Sequence, residues 1–142
     1  MILLVGSDSA LLEGLAQSFA ARSWPICVAP GLTEALEAVS ANPPLVAVIE
    51  RPMAVAAPGK ALALPLAPGG AIVLFHSSSD DEQPLVPALQ RALLADLSLP
   101  LERHRLFALV QRVAERAQAV GRRTPEAPTP PSGDTLSRGP GR

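Results

Sequence analysis

Short unbroken apolar runs alternate, over roughly the first 120 positions, with longer stretches in which apolar residues recur every third or fourth place. The runs Ile2 to Val5, Leu45 to Ile49 and Ala71 to Phe75 carry no inward/outward alternation, so they read as strands of a parallel sheet covered on both faces. Pro25 to Ala29 reads as a further strand ended by Pro30-Gly31, and Leu97 to Leu99 as the last. Between them the period changes. Ser7-Asp8-Ser9 offers N-cap oxygens for a helix running to Arg22, with Leu11, Leu12, Leu15 and Phe19 on one face. Thr33 can cap a second helix, with Leu36 and Val39 inward, that Asn42-Pro43-Pro44 stops. Arg51 to Gly70 holds Pro52, Pro58, Pro65 and Pro68 and leaves room for a short or broken helix around Lys60 to Leu64. A helix from Leu85 to Leu94 is opened by Asp80-Asp81-Glu82, with Pro84 and Pro87 tolerable only in its first turn. Leu101 to Val120 closes the series, with Leu106, Leu109, Val110, Val113 and Ala117 on its core face.

Strands alternating with helices in this way predict an α/β, flavodoxin-like doubly wound sheet of five parallel strands in the order 2-1-3-4-5, helices on both faces and the third helix short or irregular. Ligands on such sheets bind in the crevice outside the ends of strands 1 and 3. The pattern stops near Gly121. From there to Arg142 the chain has Leu136 as its one large apolar residue, five prolines and four glycines. Residues 1–120 are therefore expected to form the domain and 121–142 a disordered Pro/Gly/Arg-rich tail.

Composition narrows the function classes. A chain of 142 residues with 48% hydrophobic content can bury a real core. The net charge of −1 and the presence of one lysine, Lys60, argue against nucleic acid as a partner. No run is long enough to span a membrane, and MILLVGSDS lacks the basic start and apolar length of a signal peptide. The single cysteine, Cys27, can form no internal disulfide and reads as a buried small hydrophobe. A cytoplasmic location is the expectation. His76 and His104 are too isolated for a metal site, and no nucleotide-binding glycine loop or nucleophile elbow is present, so no metal or cofactor is expected. Trp24 reads as a packing anchor.

Five segments carry a resemblance to a known family. Ile2-Leu3-Leu4-Val5 resembles the first strand of a bacterial response-regulator receiver domain, Glu34-Ala35-Leu36 its second-helix motif, and Leu45-Val46-Ala47-Val48-Ile49-Glu50 its third strand. Ala95-Asp96-Leu97-Ser98-Leu99-Pro100-Leu101 is similar to the family segment bearing a lysine and a cis proline. The order and spacing of these segments, over residues 1 to 120, resemble a CheY-like receiver in which the switch parts have been replaced. The family holds Mg2+ with two acidic residues after the first strand, where this chain has Gly6 and Ser7, with Asp8 one place later and better read as a helix cap. Glu50 stands at the phosphoacceptor position, one methylene longer than the family's aspartate. It either supplies permanent negative charge there or caps the strand end and pairs with Arg51. Leu99 replaces the family's phosphoryl-contacting lysine, and Asp96 its rotating aromatic. The family's hydroxyl position falls on His76 by apolar counting and on Ser77 by distance from Pro100.

The resemblance and its departures together imply a degenerate receiver: a non-enzymatic module of bacterial signal transduction that binds another signalling protein without phosphorylation. The family's usual contact face would here include Gln90, Arg91, Asp96, Arg103, Arg105 and Arg112, an arginine-bearing surface suited to an acidic or amphipathic partner. Two alternatives stand beside it: an atypical phosphorylatable or ion-responsive receiver using Glu50 or Asp8 with Ser77, and a structural homo-oligomerisation module such as a homodimer.

Overall fold

The computed structural model describes residues 1–76 and 84–126, with side chains as far as residue 119. Five strands, β1 (Ile2–Val5), β2 (Ile26–Ala29), β3 (Val46–Glu50), β4 (Ala71–His76) and β5 (Leu93–Ser98), pair in parallel in the order β2-β1-β3-β4-β5. Helices α1 (Ser9–Ala21), α2 (Leu32–Ala38), α3 (Arg51–Ala56), α4 (Pro58–Ala63), α5 (Pro87–Ala92) and α6 (Arg103–Glu126) connect and cover them. This is the flavodoxin-like doubly wound architecture.

The unbroken apolar runs have the physical cause expected of them. Alternate residues of each strand enter two separate cores. Ile2, Leu4, Val48 and Phe75 pack under α1 and α6 with Leu12, Phe19, Leu106 and Val110. Leu3, Val5, Ile49 and Leu74 face Ala35, Ala54, Ala61 and Leu89 of the other helices. The rings of Phe19 and Phe107 meet edge to face with centroids 4.8 Å apart, and the Arg22 guanidinium lies 4.1 Å above Phe107, which ties the end of α1 to α6.

Several local expectations change. Asp8 does cap α1, its Oδ1 accepting from the Leu11 N–H at 3.1 Å. Thr33 does not cap α2. That helix starts at Leu32 with Gly31 as N-cap, and Thr33 Oγ1 instead accepts from Lys60 Nζ at 2.8 Å, joining α2 to α4. The Pro-rich stretch holds two short helices rather than one, because Pro52 and Pro58 sit in first-turn positions where no N–H is needed. The helix expected over Leu85 to Leu94 is cut to Pro87–Ala92, and β5 begins at Leu93 rather than Leu97. Leu and Ala favour helix only weakly, and pairing with β4 satisfies the backbone of this segment instead. Ile72 pairs with Leu93 and Val73 with Ala95, so Leu94 bulges out of register. The Leu99–Pro100 peptide is cis. Cys27 is half-buried rather than buried. α6 runs to Glu126, past the end expected at Val120. Ser77, the acidic run Asp80-Asp81-Glu82 and the tail beyond Glu126 lie outside the described residues.

Candidate functional site

The carboxyl ends of β1, β3, β4 and β5 meet at one end of the sheet, and the polar residues that follow them form two small networks. The first joins β1 to β3. The Ser7 N–H donates to Glu50 Oε1 at 3.1 Å, and the Ser7 hydroxyl donates to the same oxygen at 3.0 Å. Glu50 is therefore held by Ser7, and the pairing with Arg51 allowed by their adjacency does not occur. Gly6, one residue before, faces the core under α1 and α6. A Cβ there would lie 3.1 Å from Phe75 Cζ and 3.6 Å from Glu50 Cβ, so the buried Phe75 ring fills the space into which a first acidic residue would project.

The second network joins β3, β4 and β5. Arg51, just past β3, pairs with one carboxylate oxygen of Asp96, and His76 at the end of β4 lies with Nδ1 3.0 Å from the other. All three side chains are largely covered, with 14%, 25% and 29% of the Arg51, His76 and Asp96 side chains exposed. A carboxylate in an edge strand between apolar neighbours needs such partners to offset its desolvation. Of the two alternatives open for Glu50, pairing with Arg51 gives way to the bond with Ser7, and Arg51 pairs with Asp96. Phase along β4 places Phe75 opposite Glu50 in the register, a consequence of strand alternation that was open to reading.

A third contact anchors the next turn. Glu102 precedes α6 and accepts the Ser98 N–H at 2.8 Å while pairing with Arg105. The backbone N–H bond first, then Arg105, hold its carboxyl below the usual value of 4.5. Leu99 is a fully buried core residue. His76 is the last paired residue of β4, opposite Ser98. Of the expected contact face, Gln90, Arg91, Arg103, Arg105 and Arg112 are exposed, whereas Asp96 is committed to Arg51 and His76.

Mg2+ requires several oxygen ligands of which carboxylates supply most of the charge. Glu50 has Ser7 beside it rather than a second carboxylate, Asp8 is bonded to the start of α1, and Phe75 closes the space beside Gly6. The described residues do not fit the ion. Among the described residues, no group of three or more His, Cys, Asp or Glu side chains is placed to hold a metal. No described helix is long and apolar enough to cross a membrane.

A five-stranded parallel sheet in this order, with a carboxylate at the end of β3 and a cis proline after β5, has the fold of response-regulator receiver domains. Among solved structures, a receiver domain protein from Clostridium thermocellum superposes with a TM-score of 0.63 at 16% identity, over 84% of this chain and 97% of that one. NtrX from Brucella abortus, solved in complex with ADP, gives 0.66 at 17% identity over 87% of this chain. The chain spans 28% of the length of that NtrX chain. The pseudo-receiver domain of CikA gives 0.56 at 17% identity, over 80% of this chain and 95% of that one. No family model and no curated protein sequence matches the chain.

Proposed function

We propose that the chain is a pseudo-receiver: a non-enzymatic adaptor in bacterial signal transduction that binds a signalling protein in a state set by folding rather than by phosphorylation. The observation that carries this reading is the occupancy of the crevice by internal bonds. Glu50 is held by Ser7, and Asp96 is held by Arg51 and His76. Phosphoryl transfer needs a positioned acceptor, a metal and a cation aimed at the developing charge. Here the acceptor position is an engaged glutamate, the donor set does not suit Mg2+, and the family's lysine position is the buried Leu99. The likeness to the CikA pseudo-receiver supports a receiver fold used without the usual switch. The exposed arginines of the α5–β5–α6 side support a partner with acidic or amphipathic character.

The test is an amide-resolved NMR titration of the full chain with Mg2+ and then beryllofluoride. The expected result is no saturable shift at Ser7, Asp8, Glu50 or Asp96. Clustered shifts at the ends of β1 and β3 would overturn the reading in favour of an ion-responsive receiver.

A further inference from the structure

A groove at the β2 edge of the sheet, bordered by Gly6 and Ser7, has an apolar wall that the adaptor reading does not use. It lies between α1 and β2, encloses about 440 Å³, and has Leu12, Ala16, Val28 and Pro30 as its apolar lining, with Glu13 at its side. Val28 is on the α1 face of β2 yet remains 48% exposed, because the core under α1 takes in Ile26 of this edge strand but not Val28. A half-bare valine beside a carboxylate calls for an apolar side chain flanked by a cation.

The same molecule presents such a group. Leu101, in the turn between β5 and α6, is 73% exposed, the highest exposure among the described large apolar residues. Arg103 follows two places later at the start of α6, exposed and in no ion pair among the described residues. Two stretches of the chain differ in charge in the same sense. Side chains of residues 1–50 comprise five carboxylates and one arginine, whereas those of residues 84–119 comprise five arginines and three carboxylates. The one arginine of the acidic half, Arg22, lies against Phe107 on the far side of α1.

We infer that a second copy of this chain occupies the groove, its Leu101 seated on Val28, Leu12 and Pro30 and its Arg103 against Glu13. Pro100 and Arg103, on either side of the knob, lie against Ala10, Leu11 and Gly14 of α1, whereas the groove is on the flank of α1 that carries Leu12, Glu13 and Ala16; knob and groove are different patches, and the contact is heterologous. Each copy that inserts its knob leaves its own groove open for another. The assembly therefore grows head to tail rather than stopping at a symmetric dimer. The pairing of Arg103 with Glu13 makes it sensitive to salt.

Sedimentation velocity on the full-length chain tests this. The expected result is a sedimentation coefficient that rises with concentration past the dimer value and falls with added salt. Leu101→Asp, at a position too exposed to matter for folding, should leave a monomer. Glu13→Arg and Arg103→Glu should each weaken association about tenfold, and the two together should restore it. Circular dichroism checks that each variant is folded. A wild-type chain that stays monomeric, a closed dimer, a Leu101→Asp variant that associates like wild type, or a charge swap that restores nothing would each overturn the proposal.

Discussion

Replacing Asp96 by asparagine keeps its volume and one acceptor oxygen but removes the charge that Arg51 and His76 share. The cost follows from burial. Removing one partner of a fully buried ion pair costs about 3–5 kcal/mol, whereas exposed pairs contribute about 0–1 kcal/mol. With 14% of the Arg51 side chain and 29% of the Asp96 side chain exposed, the pair falls between these limits. Asparagine still accepts a hydrogen bond, so about 1–2 kcal/mol is expected. For a domain of this size that corresponds to a fall in Tm of about 4–8 °C. Urea unfolding of wild type, Asp96→Asn, His76→Gln and the double variant gives the midpoint shifts and, by the cycle, the coupling of Asp96 to His76. A coupling of about 0.5–1 kcal/mol is expected at low salt, weakened little by added salt because covered pairs are poorly screened. An Asp96→Asn variant within about 0.5 kcal/mol of wild type, the range of ordinary surface changes, would refute the reasoning.

Two more predictions follow from the same end of the sheet. Gly6→Asp puts a Cβ 3.1 Å from Phe75 Cζ and a carboxylate beside Glu50, so it should cost about 1–3 kcal/mol through overpacking alone; Gly6→Ala separates the steric part, and a Tm that saturating Mg2+ restores would contradict the poor fit for the ion. Glu102→Gln concerns acid stability. Because the folded carboxyl is held below 4.5, its contribution is present above that value and disappears as pH falls through the lower folded value. On acidification from 4.5 downward, wild type should therefore lose more Tm than Glu102→Gln, by a small amount because the pair with Arg105 is exposed; parallel curves would count against it.

How far the sequence could be read depended on whether a signal was local. The runs Ile2 to Val5 and Leu45 to Ile49 announce a doubly covered sheet because each strand feeds two cores, and the Asp8 cap is three residues from its target. β5 was misread because its identity comes from pairing with β4, and Leu93-Leu94-Ala95 has no strand preference of its own. The doubled short helices were hidden by prolines that look like breakers until their first-turn placement is known. At the site, Glu50 and Asp96 were recognisable by position, but their partners were not. Ser7 is 43 residues from Glu50, and Arg51 is 45 from Asp96. Adjacency favoured Glu50 with Arg51, whereas strand geometry sends them to different partners.

A switch requires two states close in free energy and a ligand that binds one of them better. In the receiver fold the phosphoryl group supplies that difference through a metal, a cation and a residue able to move. In this chain Glu50 is bonded to Ser7, Leu99 is sealed in the core, and Asp96 is held from two strands. A ligand arriving at the crevice would have to break these bonds before making its own, and among the described residues no free carboxylate pair is offered in return. On the adaptor reading, regulation therefore passes to the outer surface, where Leu101, Arg103 and the α1–β2 groove remain uncommitted. Concentration and competing partners, rather than phosphorylation, would then decide which of those surfaces is occupied.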